Sequence, residues 1–138
     1  MFALILWFMT IETGAELRVS LSNIRQVQGS VYVAVYDSEA DFLSTETSKI
    51  RERSIVAVSQ TGTMEISFPN LPPGNYAISC FHDVNGNGKL DTNLVGIPNE
   101  PYGFSNNARP KFRAPTWAEA KFYLQNTGAT QSIRLEKW

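Results

Sequence analysis

The chain of 138 residues suits one domain, and its 43% hydrophobic and 18% charged residues are an ordinary globular balance. The formal net charge is -1, and no lysine or arginine run occurs. These features exclude the electrostatic attraction that a nucleic-acid partner or an anionic membrane surface requires.

The chain starts with eight apolar residues, Phe2 to Met9, followed by the small residues Thr13, Gly14 and Ala15. Spanning a membrane takes about 20 apolar residues, so we expect no membrane span in the mature chain. The pattern is typical of a secretory signal peptide over residues 1–15, with a mature domain over 16–138. No basic residue precedes the apolar run, so a buried strand of the mature fold is the alternative.

Alternating apolar residues predict seven short strands. We place them at 16–22, 31–36, 54–59, 63–68, 76–82, 120–125 and 132–136. Phe42 and Leu43 suggest a short helical turn between the second and third strands. Cys80, the only cysteine, lies inside the fifth strand and is expected to be a core residue.

From Asp83 to Pro115 the sequence has little periodicity and is rich in glycine, asparagine and proline. A loop of this length in a small domain is usually functional or disordered, and its aromatic residues argue against disorder. Short strands, frequent turns and almost no helical periodicity predict an all-β fold: a single antiparallel β-sandwich with one long ordered loop.

The first part of that loop has the oxygen spacing of a calcium site. EF-hand loops use side-chain oxygens at positions 1, 3, 5 and 9 and a backbone carbonyl at position 7. Counted from Asp83, these positions hold Asp83, Asn85, Asn87, Lys89 (through its carbonyl) and Asp91. The sequence therefore predicts a cation loop, with calcium as the cofactor.

Position 12 departs from the EF-hand pattern, because Leu94 stands where a bidentate glutamate is expected. Glu100 is a candidate for the missing oxygen. Two carboxylates and two amides predict weak binding, roughly 10⁻⁴ to 10⁻³ M, as in extracellular modules. The alternative is a plain hairpin, because Asn85-Gly86 and Asn87-Gly88 are both strong turn signals.

The residues around the loop resemble a known family. Leu71-Pro72-Pro73-Gly74-Asn75-Tyr76 leads into Phe81 to Asp91, and Gly96 to Asn107 follows. This combination resembles a family of uncharacterised bacterial secreted proteins, catalogued as a domain of unknown function. The resemblance implies export, one domain of this length and no assigned activity. The Pro-Pro-Gly-x-Tyr segment is also similar to that of transthyretin-like and carboxypeptidase-regulatory-like sandwiches, a likeness of fold alone.

His82 is the only histidine. As a base it would act with Asp83 and Glu100 in a hydrolase or lyase, but neighbouring residues on a strand point to opposite faces. We expect its ring instead to form a hydrogen bond within the long loop and to orient it. No serine, threonine or cysteine has a recognisable nucleophile context, so we assign no catalytic residue.

The second part of the loop carries aromatic and amide side chains: Tyr102, Phe104, Asn106 and Asn107. Rings that stack and amides that hydrogen-bond suit a glycan or protein ligand. In the alternative, the rings fold inward as the loop's own core.

The leading hypothesis is a non-enzymatic, secreted or periplasmic domain. In it, a weak calcium loop orders residues 94–115 for an unknown protein or glycan ligand. A hydrolase or lyase and a purely structural accessory domain remain the alternatives.

Overall fold

The computed structural model describes residues 14–138, so the predicted signal segment lies almost entirely outside the described residues. Eight strands and one short helix follow in chain order: β1 (Ala15–Ile24), β2 (Ser30–Tyr36), β3 (Glu52–Ala57), β4 (Gly62–Leu71), β5 (Gly74–Asp83), β6 (Tyr102–Phe104), α1 (Trp117–Ala120), β7 (Phe122–Leu124) and β8 (Ala129–Arg134). Two 3₁₀ helices lie at Thr47–Lys49 and Ser105–Asn107.

The strands form two sheets, which confirms the predicted all-β sandwich. One sheet has the order β4-β1-β8, and the other has the order β3-β2-β5-β6. β7 also pairs with β5, through Gly74 to Tyr76, whereas β6 pairs with Ser79 to Phe81. The two short strands therefore share one edge of β5, and β5 is the element from which the cation loop leaves.

The inward faces of both sheets supply the core. β1 contributes Leu17, Val19 and Leu21, all fully buried, and β2 contributes Val31, Val33 and Val35. In β5 the buried face carries the alternating set Tyr76, Ile78, Cys80 and His82. Alternation with a period of two puts each set on one side of its strand, as the sequence predicted.

Four local features differ from the expectation. β1 and β8 pair in parallel, so the smaller sheet is mixed. The 83–115 segment contains an eighth strand, β6, and a 3₁₀ helix. The predicted strand at 120–125 is shorter, because α1 occupies its start. Phe42 and Leu43 lie in a non-helical turn, where Leu43 has a φ of 65°.

Strand β1 begins at Ala15, one residue before the predicted mature domain. The Ala15 side chain is 3% exposed, and the Ala15 backbone pairs with Leu71.

No helix within residues 14–138 has the length and apolar character needed to cross a membrane.

Candidate functional site

The cation loop begins on a buried carboxylate. Asp83 is the last residue of β5 and is 1% exposed. Its Oδ1 accepts a hydrogen bond from the Asn87 N–H (3.2 Å), and its Oδ2 accepts one from the Gly88 N–H (2.8 Å). The carboxylate therefore holds the turn from within, since a buried charge must be paired with donors to be tolerated.

Gly86 and Gly88 make the tight course of the loop possible. Their φ values are 71° and 77°, a left-handed conformation that costs glycine least. Between them, the Asn85 Oδ1 accepts from the Asn87 N–H, and the Asn87 Oδ1 accepts from the Lys89 N–H. These are local asparagine turns, which mimic backbone turns.

Three side chains of the loop converge on one point. The Asp91 carboxylate accepts hydrogen bonds from the Asn85 Nδ2 (2.5 Å) and the Asn87 Nδ2 (2.6 Å). These residues occupy loop positions 3, 5 and 9 of the calcium pattern. The amide donors, that of Asn87 foremost, hold the pKa of Asp91 below its ordinary value. The carboxylate is therefore ionised at neutral pH.

Glu100 closes the loop at both ends. Its Oε2 accepts from the Val84 N–H (2.7 Å), and its Oε1 accepts from the Asp91 N–H (3.0 Å). The side chain is only 6% exposed. The sequence predicted Glu100 as the source of an additional oxygen ligand for the metal. In the structure its carboxylate does lie at the loop, where it accepts hydrogen bonds from two backbone N–H groups.

The donor set fits a calcium ion in part. Within residues 14–138, no three histidine, cysteine, aspartate or glutamate side chains form a metal-binding group. The converging set is instead one carboxylate and two amides, and calcium accepts both kinds of oxygen. A 180° turn of each amide group would bring its oxygen to the Asp91 carboxylate, beside a cation. The turn would also break the bonds that the two amide oxygens accept from the N–H groups of Asn87 and Lys89.

The ring of His82 makes its hydrogen bond outside the long loop. The side chain is 2% exposed, and its Nε2 lies 2.6 Å from the carbonyl oxygen of Gln28, in the connection between β1 and β2. Only its backbone reaches the long loop, where the His82 N–H donates to the Pro101 carbonyl (2.8 Å). The expected orienting bond therefore goes to a different segment.

No hydrogen bond joins His82 to Asp83 or Glu100 in the described part of the chain. Both carboxylates accept backbone N–H groups, and the imidazole faces Gln28. The geometry therefore does not assemble the three residues of the hydrolase alternative.

The four residues predicted to form the ligand face make contacts within the protein. Tyr102 is 8% exposed, and its ring makes an edge contact with Phe104, with a centroid distance of 5.9 Å. The Asn106 amide donates to the carbonyls of Glu119 and Lys121. The Asn107 amide donates to the Ser132 carbonyl and accepts from the Arg134 N–H. Both asparagines thus fasten the long loop to α1 and β8, and a ligand role for them stays a prediction.

Comparison with known proteins identifies the family. The model of the family described as an uncharacterised protein conserved in bacteria (DUF2141) matches residues 19–132. The chain belongs to this family. No curated protein and no solved structure matches the chain.

In this DUF2141 domain, two structural residues carried no recognisable sequence signal. The Arg109 guanidinium donates to the carbonyls of Tyr102 and Glu136 and lies 4.0 Å from the centre of the Tyr102 ring. The buried Ser105 hydroxyl accepts from the Ile78 N–H (2.9 Å) and donates to the Ala120 carbonyl (2.6 Å). Their partners are distant backbone groups, which no spacing along the chain reveals.

An apolar cavity of about 550 Å³ is lined by residues from both the first and the second part of the long loop, together with Trp138. Val95, Ile97, Phe104, Phe112 and Trp138 are among its lining residues. Phe112 is 82% exposed and Trp138 51%, and their ring centroids are 5.4 Å apart. Phe112 and Trp138 lie outside the aromatic and amide motif from which the ligand face was predicted.

Proposed function

We propose that this DUF2141 member is an exported binding domain in which a weak calcium site orders the long loop and its apolar cavity. The observation that carries the proposal is the convergence of Asn85, Asn87 and Asp91 on one point. Without a cation, two amide N–H groups form hydrogen bonds to the Asp91 carboxylate. With a cation, rotation of both amides would let the same three side chains offer it oxygens.

The loop's existing conformation favours binding without a large rearrangement. Asp83 and Glu100 already fix the turn through four bonds to backbone N–H groups. A carboxylate oxygen has two lone pairs, so the Asp83 Oδ1 can keep its amide partner and still face a cation. Preorganisation of this kind lowers the entropy cost of binding.

The small number of charged ligands implies weak affinity, and weak affinity is useful only where calcium is abundant. This supports a location outside the cytoplasm, secreted or periplasmic, as does the apolar run from Phe2 to Met9. Export is thus part of the same proposal.

Ordering of the loop matters because it shapes the apolar cavity. Val95 and Ile97, which come shortly after the cation loop, line the cavity together with Phe112 and Trp138. Exposed apolar side chains grouped in this way are typical of interaction surfaces. We propose an apolar segment of a partner protein as the occupant, because Arg113 is the single charged residue among the lining residues.

Isothermal titration calorimetry with calcium tests the cation site. We expect saturable binding with a Kd of about 10⁻⁴ to 10⁻³ M. Asp91→Asn should abolish it, because this half-buried carboxylate supplies the charge at the convergence point. Asp37→Asn is the matched control, since Asp37 is exposed and lies just after the end of β2. The start of that strand is the end that pairs with Asp83. Absence of heat at about 10 mM calcium would refute the site.

Selection from a displayed peptide library tests the apolar cavity. We expect enriched peptides with aromatic or aliphatic anchors whose binding is lost in Phe112→Ser and retained in Tyr123→Ser, an exposed aromatic residue on β7. Binding on a glycan array that depends on Phe112 would replace the protein partner by a glycan. Failure of both assays would remove the binding role and leave a structural domain.

A further inference from the structure

A second cleft, of about 460 Å³, shares no lining residue with the apolar cavity. Its lining comes from the end of β1 and the connection after it, from the residues that flank Asp83, from Pro101 and from the chain that follows β8: Asn23, Arg25, Gln26, His82, Val84, Pro101, Leu135, Glu136 and Lys137. This volume lies in the range of small-molecule sites.

His82 lines this cleft, and only one of its two ring nitrogens is bonded within residues 14–138. A carbonyl oxygen can only accept, so the Nε2 near Gln28 carries a proton and donates it. In the neutral ring, the lone pair is then on Nδ1. Within residues 14–138 the Nδ1 has no hydrogen-bond partner. Every buried side-chain nitrogen or oxygen in that part of the chain has a partner, so the Nδ1 must be accessible to solvent. The residue as a whole is only 2% exposed.

The rim of the cleft carries an excess of positive charge. Arg25 is exposed, and only its Nε is engaged, by the Asn23 Oδ1 at 3.1 Å. Lys137 is also exposed. The one carboxylate of the rim, Glu136, is held by the Arg134 Nε at 2.6 Å and lies 3.9 Å from the Arg109 Nε. Arg25 also interacts electrostatically with this carboxylate, so Arg134, Arg109 and Arg25 together balance its charge. Arg25 and Lys137 against one carboxylate leave the rim with a net positive charge that suits an anion.

Apolar groups complete the walls. Val84, Pro101 and the fully buried Leu135 line the cleft together with His82. The cleft therefore offers a hydrogen-bond acceptor at its floor, two cationic groups at its rim and carbon surface between them.

We propose that this cleft binds a small organic anion that also carries a hydroxyl group, a hydroxycarboxylic acid being the simplest member of the class. The hydroxyl donates to the His82 Nδ1, the carboxylate pairs with Arg25 and Lys137, and the carbon skeleton packs on Val84 and Pro101. The assignment does not rest on the calcium proposal, because His82, Arg25 and Lys137 lie outside the cation loop.

Nitrogen-15 NMR of the imidazole tests the proposal directly, because His82 is the only histidine and its signals need no assignment. The probes are lactate, propionate (which lacks the hydroxyl) and glycerol (which lacks the anion). We expect lactate to shift the Nδ1 signal saturably, with a Kd of roughly 1 to 10 mM, as befits so small a ligand. Propionate and glycerol should each bind at least about tenfold more weakly, since each lacks one of the two contacts.

Variants separate the roles of the rim and the floor. Arg25→Gln should weaken lactate binding about tenfold, as expected for loss of a charge-assisted contact, whereas Arg53→Gln, on an exposed part of β3, should leave it unchanged. Diethyl pyrocarbonate should acylate His82 at Nδ1, and lactate should slow the reaction. No lactate shift at about 50 mM, propionate binding equal to that of lactate, or an unreactive His82 would each overturn the assignment.

Discussion

A single buried carboxylate, that of Glu100, holds both ends of the cation loop through the N–H groups of Val84 and Asp91. Glu100→Gln keeps the shape of the side chain but replaces one acceptor by a donor, which then faces an N–H group. We expect the free energy of unfolding to fall by about 1–3 kcal/mol, the range for loss of a charged hydrogen-bond acceptor. Urea denaturation measures it. Glu65→Gln, an exposed residue of β4, is the control and should change stability by less than about 0.5 kcal/mol.

Gly29 is the second residue on which the site depends, because it lies against the backbone of Asp83. A Cβ at Gly29 would stand 1.8 Å from the Asp83 carbonyl oxygen, and φ there is 61°. Gly62 also has a positive φ, of 100°, but a Cβ there meets nothing within 4 Å. Gly29→Ala should therefore destabilise the fold by more than the roughly 1–3 kcal/mol of backbone strain that Gly62→Ala incurs. Equal midpoints in thermal unfolding would contradict this packing.

At the scale of elements, the Asn107 side chain extends the hydrogen bonding along the edge of β8, in the place of a neighbouring strand. Its amide meets the Ser132 carbonyl (3.1 Å) and the Arg134 N–H (3.0 Å), as a peptide group of a neighbouring strand would. Its φ of 50° suits asparagine better than most residues.

Two substitutions separate these contributions. Asn107→Gly keeps the conformation and removes both hydrogen bonds, and we expect a loss of about 1–3 kcal/mol. Asn107→Ala adds backbone strain and should cost about 1 kcal/mol more. Chemical denaturation of the two variants gives the difference. A glycine variant as stable as the unsubstituted chain would mean that the Asn107 side-chain hydrogen bonds to β8 do not stabilise the fold.

The alternation of Val31, Val33 and Val35, and of Tyr76, Ile78 and Cys80, was enough to predict the strands and which residues share a face, because side chains alternate with a period of two along a strand. The structure shows that both of these faces are buried. The position of the loop that starts at Asp83 was predictable for a similar reason, since its glycines and asparagines break that period. β6 was not predictable, because Tyr102-Gly103-Phe104 is too short to show a period. The parallel pairing of β1 with β8 depends on residues more than a hundred positions apart, which leave no local pattern.

Side-chain destinations were harder to predict than strands. Spacing placed Asp83, Asn85, Asn87 and Asp91 in one loop, and the structure brings their polar groups into one network. Spacing could not show that Glu100 faces two backbone amides, or that the imidazole of His82 faces Gln28. Those outcomes depend on how distant segments pack, and only the folded chain defines them.

At the scale of the whole molecule, Cys80 reports opening of the core shared by the two sheets. It is 4% exposed, and burial raises the pKa of its thiol to about 12, from an ordinary value of 9.0. The folded state therefore keeps its proton where the unfolded chain loses it. Stability should be unaffected by this group below pH 9.0 and should fall as the pH rises from there towards 12.

Reaction with a thiol reagent checks this behaviour. At pH 8 the native protein should react slowly, at a rate that rises with urea in proportion to global unfolding, because the thiol lies inside the core. Fast, urea-independent reaction would show that the core opens locally at β5. The pH dependence of the urea midpoint above pH 9.0 gives the second measurement.

The central claim is that calcium orders the segment between Asp83 and Glu100. Amide hydrogen exchange with and without about 10 mM calcium tests it most directly, since binding at the Kd proposed above should slow local opening about 10- to 100-fold. We predict slower exchange confined to residues 84–100 and absent in Asp91→Asn. Unchanged exchange there, or protection that persists in Asp91→Asn, would contradict the account.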